Sequence, residues 1–347
     1  MIRRITLALL SALVLLTSCE YKDLCYNHEE HALRYHIDIK ADYRRDWEDS
    51  SSLPYKWMEN WPQHYIPYEQ MRPELPTGLR VLTYHDSYSE PHKSNIDPEG
   101  GIVMLSEGLN DILLYNNDTE YIVFTDLENS ATTRATTRTR SRSSYLGNSF
   151  SKTEEEHTVN QPDMLYGAFI KKYNAEKTLT PEEFNITIQP LVYTYKVRFE
   201  IEEGLKYVTM ARGALSGMAG SVYMHTGYTA SDPVTVLFDC EVTDFGARSL
   251  VKSFGIPDFP VNDHVTDGSR AQDRAYALNL ELKLINDTFL SMDFDVTDQV
   301  AAQPHGGVIT VTGIKVNRED ATTSGGFDVD VEGWGEGEDI ILPFGNI

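Results

Sequence analysis

The chain has few cysteines, few basic residues relative to acidic ones, and no long apolar run outside its first residues. Its 347 residues include three cysteines, at positions 19, 25 and 240. Three cysteines alone do not determine whether a disulfide forms or which residues it would join. Lys and Arg number 30 against 53 Asp and Glu, which gives a formal net charge of −23 at pH 7. Phosphate binding needs clustered basic residues, so this balance argues against nucleic acid and favours proteins, glycans or cations as partners.

Short catalytic fingerprints are also missing. The sequence has no G-x-S-x-G elbow, no HExxH, no P-loop and no Rossmann glycine motif. Nothing in it proposes a nucleophile or a base, so we expect a protein that is not an enzyme and that uses no cofactor. The apolar fraction of 41% indicates a folded chain rather than a disordered one.

One apolar run stands at the N-terminus, from Ile5 to Leu16, directly after Arg3 and Arg4. A membrane-spanning helix needs about 20 apolar residues, so this run is too short to span and is typical of a secretion signal. Its ending, Leu16-Thr17-Ser18-Cys19, resembles the lipobox of bacterial lipoproteins. That resemblance implies removal of residues 1–18 and lipidation of Cys19, with palmitate or a similar acyl chain. Several acyl chains anchor a protein stably, at about 0.8 kcal/mol per buried CH₂. The alternatives are a plain signal peptide or a tail anchor.

If Cys19 is lipidated, two cysteines remain. The oxidising environment of an exported protein allows a disulfide between Cys25 and Cys240. Because the two are far apart in sequence, a disulfide and two unpaired thiols both remain as alternatives. Residues 19–30 then form a lipidated tether.

The rest of the chain is dominated by strand patterns. Apolar and polar residues alternate from Leu33 to Lys40, the period of a half-buried strand. Similar runs follow at 78–84, 101–105, 111–115 and 121–125, and they predict an N-terminal β-sandwich over residues 31–128. Later runs at 192–201, 234–242, 276–285, 289–296 and 308–316 predict a C-terminal β-sandwich over residues 161–347. A short helix is predicted at Pro181-Glu182-Glu183, with Thr180 as its N-cap.

Between these two predicted domains the composition changes. Residues 129–160 contain few apolar residues, many Ser and Thr, and a run of arginines at Arg134, Arg138, Arg140 and Arg142. Such a composition predicts an exposed loop or a linker, and one that proteases can reach.

Two groups of residues are candidates for ligand binding. Trp47, Trp57 and Trp61 fall in one proline-bearing loop, where exposed aromatic rings would stack on sugars or on a partner protein. The alternative is that the loop folds back over a sheet. Asp328, Asp330, Glu332 and Asp339 have the spacing of an EF-hand-like calcium loop. Alternating apolar residues at the same place favour a strand with an acidic outer face, so we expect no metal there.

Several segments together resemble the fimbrillin-type surface lipoproteins of Bacteroidales, which include anchor and accessory subunits of type V pili. They are Cys19 with its acidic tether, the strand Leu33–Lys40, the stretch Met164–Gly167 and the ending Gly326–Val331. The resemblance implies an all-β chain of two tandem transthyretin-like, Greek-key β-sandwiches. It also implies a lipid-anchored protein, exposed at the outer-membrane surface, that works in fimbrial assembly or cell adhesion with other pilin subunits.

The arginine positions narrow this resemblance. In that family, shaft subunits are opened by proteolysis after an arginine near the first strand, whereas Arg134–Arg142 lie after several strands. An anchor or accessory subunit that keeps its first strand is therefore favoured, assembling through strand edges. The segment Gly326–Phe344 is the one we expect to pair in the second domain or with a neighbouring subunit. The competing hypothesis is a glycan-binding outer-membrane lipoprotein that uses the loop tryptophans.

Overall fold

A computed structural model describes residues 33–44, 74–142, 157–260 and 275–321. The strands are β1 (Arg34–Tyr43), β2 (Leu79–Tyr84), β3 (His92–Ile96), β4 (Gly100–Met104), β5 (Gly108–Asn116), β6 (Ile122–Thr125), β7 (Arg134–Thr137), β8 (Thr158–Asn160), β9 (Tyr166–Ala175), β10 (Lys177–Thr178), β11 (Glu182–Pro190), β12 (Tyr193–Glu203), β13 (Val208–Ala219), β14 (Ser221–Tyr223), β15 (Pro233–Thr243), β16 (Gly246–Ser253), β17 (Ala277–Leu284), β18 (Phe289–Asp295) and β19 (Gly307–Lys315). These ranges also hold the short helix α1 (Thr297–Ala301), and no helix within them is long and apolar enough to cross a membrane.

The first sandwich is formed by a curled sheet in the order β10-β1-β11-β9-β5-β2-β3. Strand β4 lies outside this order and pairs with β1. Its neighbours are antiparallel except β1 and β11, which run parallel. Alternate residues of each strand point inward, because successive side chains in a strand face opposite sides. The inward set makes one apolar core: Ile37, Ile39, Val81, Val103, Ile112 and Leu114.

The second sandwich follows the order β18-β17-β13-β15-β16-β12-β19. Strand β15 is shared between its two layers, since residues 233–240 pair with β13 and residues 241–243 pair with β16. This sandwich holds the largest apolar cluster, with Tyr195, Phe199 and Phe238 fully buried at its centre. The prediction of an all-β chain with two tandem sandwiches is confirmed.

A small three-stranded sheet, β14-β7-β6, joins the two sandwiches. The hydroxyl of Thr136 in β7 donates to the carbonyl of Gly220, which follows β13, at 2.8 Å. A third apolar cluster lies at this junction and combines side chains of both sandwiches, among them Leu113, Tyr115, Leu191 and Phe254. The two sandwiches therefore share buried surface as well as a chain connection.

The structure shows strand in part of the predicted linker over residues 129–160, of which residues 143–156 lie outside the described ranges. Ala135 is fully buried, as is Thr133, and Arg134–Thr137 form the central strand of the joining sheet. The segment has the strand period after all, with Ala135 and Thr137 inward and Arg134 and Thr136 outward. Small side chains and threonine fit a pleated, half-buried surface, so low hydrophobicity did not prevent the strand.

The strand pairing also differs from the predicted domain division. Strands β9, β10 and β11 belong to the first sandwich, although they fall in the range assigned to the C-terminal domain. Glu182–Pro190 is a strand, so the helix predicted at Pro181 is wrong. The reason is tertiary: β11 has a parallel partner in β1, and Phe184, Ile186 and Ile188 pack into the first sandwich.

Candidate functional site

The first strand, β1, occupies a slot in the first sandwich, with a neighbour on each edge. Residues Ile37–Tyr43 pair in parallel with Glu182–Ile188 of β11, and His36–Lys40 pair antiparallel with Gly100–Met104 of β4. Both backbone edges of β1 are therefore hydrogen-bonded over the same residues. The strand is an internal part of the sheet and not an added edge.

Buried side chains also hold β1 in the slot. Ile37 and Ile39 are fully buried and pack with Val103 of β4 and with Ile112 and Leu114 of β5. Full burial of an isoleucine contributes roughly 1.5–3 kcal/mol. An open slot would expose this apolar core to water.

The turn before β4 lets the two strands approach closely. Gly100 has φ +123, and a Cβ on it would lie 1.9 Å from the carbonyl oxygen of Ile39. On the same strand pair, the backbone N–H of Ala41 donates to the carbonyl of Glu99 at 2.9 Å. A side chain at position 100 would therefore push β4 away from β1.

We expect Gly100→Ala to lower the free energy of unfolding by about 2–3 kcal/mol, because it combines an unfavourable φ with a backbone clash. Gly108→Ala is the matched control, since Gly108 also has positive φ, +91, but no atom lies within 4 Å of its Cβ position. Urea unfolding of the two variants separates clash from φ strain. Equal losses in both would show that close approach at Gly100 has no role.

The end of β1 is held by Tyr43. Its hydroxyl donates to the carbonyl of Pro98 at 2.6 Å, and its ring meets that of Tyr166 edge-on, with centroids 5.4 Å apart. Burial, followed by the negative charge of Glu99, raises the pKa of Tyr43. The hydroxyl therefore stays protonated and remains a donor at physiological pH.

One residue further, Arg44 interacts with both sandwiches. Its backbone N–H donates to the carbonyl of Ile188 at 3.0 Å. Its positive charge also acts on His305, which stacks on Tyr193 at 4.4 Å and meets Phe259 edge-on at 4.9 Å. Burial, and secondarily Arg44, lowers the pKa of His305 to about 4.

This lowered pKa predicts a loss of stability in mild acid. The unfolded chain binds a proton at His305 below its ordinary pKa, about 6.5, whereas the folded chain binds it only near 4. Stability from this residue is complete above 6.5, falls as the pH drops to about 4, and is then level, a total of roughly 2–3 kcal/mol. His305→Phe keeps the ring contacts and should flatten this part of the unfolding profile. A profile unchanged in the variant would contradict the assignment.

Two arginines of the run, Arg134 and Arg140, lie beside different acidic residues. Arg134 lies 3.7 Å from Asp126 and covers the ring of Tyr223 at 5.6 Å. Arg140 lies 3.7 Å from Asp239, in β15. Arg134 and Arg140 therefore have separate acidic partners.

The other predicted site residues lie outside the described residues: Cys19, Cys25, Trp47, Trp57, Trp61, Asp328, Asp330, Glu332 and Asp339. The segment Gly326–Phe344 lies outside them too. Within the described ranges, no group of three His, Cys, Asp or Glu residues could hold a metal ion. Cys240 is described, and burial raises the pKa of its thiol, but its pairing with Cys25 stays open.

Sequence reasoning missed Gly100 and Arg44. A turn signal was present at Asp97-Pro98-Glu99-Gly100-Gly101, where proline and two glycines mark a sharp chain reversal. That signal shows a turn, but not that β1, about sixty residues earlier, would lie against it. Arg44 has no local signal, because its role depends on the second sandwich.

Comparison with known proteins gives a family and a fold. A family model described as a domain of unknown function, DUF5119, matches residues 66–239. The crystal structure of a candidate adhesin from Bacteroides ovatus is 20% identical, with a TM-score of 0.57, over 87% of this chain and 97% of that one. No curated protein matches.

Two further solved structures are more distant. A DUF1812 protein from Bacteroides thetaiotaomicron, described as a candidate polysaccharide-binding protein, is 10% identical, with a TM-score of 0.48, over 80% of this chain and 91% of that one. The fimbrial anchor protein Mfa2 from Porphyromonas gingivalis is 9% identical, with a TM-score of 0.44, over 80% of this chain and 90% of that one.

Proposed function

The chain belongs to the DUF5119 family, and from that membership and its fold we propose that it is a lipid-anchored cell-surface protein that acts as an anchor or accessory subunit of a fimbrial assembly. The matched family region reaches from the first sandwich into β15 of the second, so it covers the junction between them. The fold is shared with a Bacteroides ovatus protein described as a candidate adhesin, which supports a role at the cell surface.

The observation that carries the proposal is the position of β1. A subunit that accepts a neighbour's strand at this slot would have to leave the slot empty. Here the chain fills the slot with its own first strand, and Ile37 and Ile39 complete the core. Such a subunit does not accept a strand there, which suits a position at one end of an assembly or beside it.

The N-terminal sequence supports the anchor part of the proposal. Thirteen residues separate Cys19 from Leu33, and none of them is an arginine. A protease that cuts after arginine therefore has no site within this tether, and the first arginine that follows it, Arg34, already lies in β1. As long as the chain is uncut at Arg34, the lipid and the Ile37–Ile39 segment stay on one continuous chain.

Assembly would use strand edges and not side-chain chemistry. In the described part of the chain, β18 and β19 stand at the two ends of the second sheet, where unpaired backbone groups are available to another strand. The segment Gly326–Phe344 is our candidate for pairing there, either within the chain or with a neighbouring subunit.

Two experiments test the proposal. Cys19→Ala should leave unprocessed precursor without palmitate label, and normal labelling of this variant would contradict the lipid anchor. Isolation of the native protein from outer membranes should bring other pilin subunits with it. Glycan binding that is lost in Trp57→Ala, with no pilin recovered, would instead favour the glycan-binding hypothesis.

A further inference from the structure

Exposed apolar side chains are concentrated at one pole of the first sandwich. The described residues include ten large hydrophobic side chains classed as exposed. Five of them are carried by the ends of β1, β4, β5 and β10 or by the β2–β3 loop: Leu33, Tyr88, Met104, Leu109 and Leu179. Three of these, Leu33, Leu109 and Leu179, are 51%, 55% and 54% exposed.

Strand register brings these positions together. Arg34 pairs with Thr178 in an antiparallel ladder, which places Leu33 beside Leu179. Gly108 pairs with Ala175, so Leu109 lies at the end of β9, just before β10 begins.

The β2–β3 loop is joined to the same pole. His85 Nε2 lies 2.8 Å from the carbonyl oxygen of Glu107, and the Tyr88 ring packs against His85 with centroids 5.9 Å apart. Met104 is the partner of His36 on the neighbouring strand pair.

The same pole is where the N-terminal segment leaves the sandwich, because Leu33 directly precedes β1. We propose that this pole is a membrane-contacting surface, whose exposed leucines and Tyr88 enter the interfacial layer of the bilayer that holds the Cys19 lipid. The inference rests on the lipid anchor of the proposed function. The occupant is a lipid surface because the chain from Cys19 to Leu33 spans fourteen residue-to-residue steps, which is at most about 50 Å when fully extended.

Tethering makes a small contact effective. A chain held within tens of ångströms of the bilayer meets it as an intramolecular partner, so even a weak contact is populated. Leucines supply apolar surface, and a tyrosine ring is favoured at the water–lipid boundary because one end is apolar and the other polar.

Site-directed spin labels on the lipidated full-length mature protein test this. Cys25→Ser and Cys240→Ala remove the other thiols, and labels are placed at Leu109→Cys and Leu179→Cys. Leu75→Cys and Ile285→Cys are matched controls, since both positions are exposed, at 43% and 56%, but lie away from this pole. The probe is a vesicle of phosphatidylethanolamine and phosphatidylglycerol.

The measured quantity is the accessibility of each spin label to oxygen divided by its accessibility to a water-soluble nickel chelate. On addition of vesicles this ratio should rise severalfold at positions 109 and 179 and should stay constant at 75 and 285. Equal values at all four positions would overturn the inference. Protein that carries no lipid or does not float with vesicles would show instead that the anchor itself fails. Protection at 109 and 179 without vesicles, increasing with protein concentration, would show a second copy at this pole and also overturn it.

Discussion

Replacement of Ile37 and Ile39 together by alanine is expected to unfold most of the first sandwich. Both side chains are fully buried in the slot between β4 and β11, and each large-to-small change in a core costs about 2–5 kcal/mol. The sum, about 4–10 kcal/mol, approaches the whole stability of an ordinary domain. Circular dichroism during urea unfolding, with limited proteolysis at neutral pH, measures the loss.

Ile102→Ala is the control for this experiment. Ile102 belongs to the neighbouring strand β4 but is 59% exposed, so the same chemical change should cost no more than about 0.5 kcal/mol. If the double variant at positions 37 and 39 were as stable as Ile102→Ala, β1 would not be part of the core, and the argument for a self-filled slot would fail.

The second large effect is expected at a buried ion pair in the second sandwich. Arg212 of β13 faces Glu281 of β17 in the strand ladder, and their charged groups are hydrogen-bonded with side chains 5% and 1% exposed. Arg212→Leu should cost about 3–5 kcal/mol, because it removes the cation and leaves the carboxyl buried. The double variant Arg212→Leu/Glu281→Leu should recover most of that loss.

The pH dependence of the single variant is a separate check. Burial already raises the pKa of Glu281, and Arg212, followed by the charge of Arg142, opposes that rise. Without Arg212 only Arg142 opposes it, so the pKa of Glu281 should rise further. A raised pKa favours the folded state at low pH, and that contribution is lost as pH increases. The destabilisation of Arg212→Leu should therefore grow above pH 5, and a loss independent of pH would contradict this.

Local pattern was enough to predict most strands, but not their neighbours. The alternation over Leu33–Lys40 predicted β1 well, since Ile37 and Ile39 do face the core. Phe184, Ile186 and Ile188 alternate in the same way and are partly or fully buried in the first sandwich, although they fall in the range predicted for the C-terminal domain. Period shows which face of a strand is buried, whereas pairing is decided by contacts between distant segments.

Hydrophobic pattern also fails to predict strands that are rich in polar residues. At Arg134–Thr137 the strand is stabilised by partners on both sides, β6 and β14, and not by its own hydrophobicity. The sequence signal for the candidate site was similarly incomplete. Leu33–Lys40 predicted the strand that fills the slot, but Gly100, which permits its close approach, gained meaning only once β4 lay beside β1.

The double pairing of β1 has a mechanical consequence. If the protein is held at its N-terminus and pulled through the rest of its body, the force enters along the axis of β1. The backbone bonds to β4 and to β11 are then loaded in shear, all at the same time, instead of being opened one after another from an end. Rupture would require the two ladders and the Ile37–Ile39 packing to fail together, which makes the first strand a suitable element to bear tension.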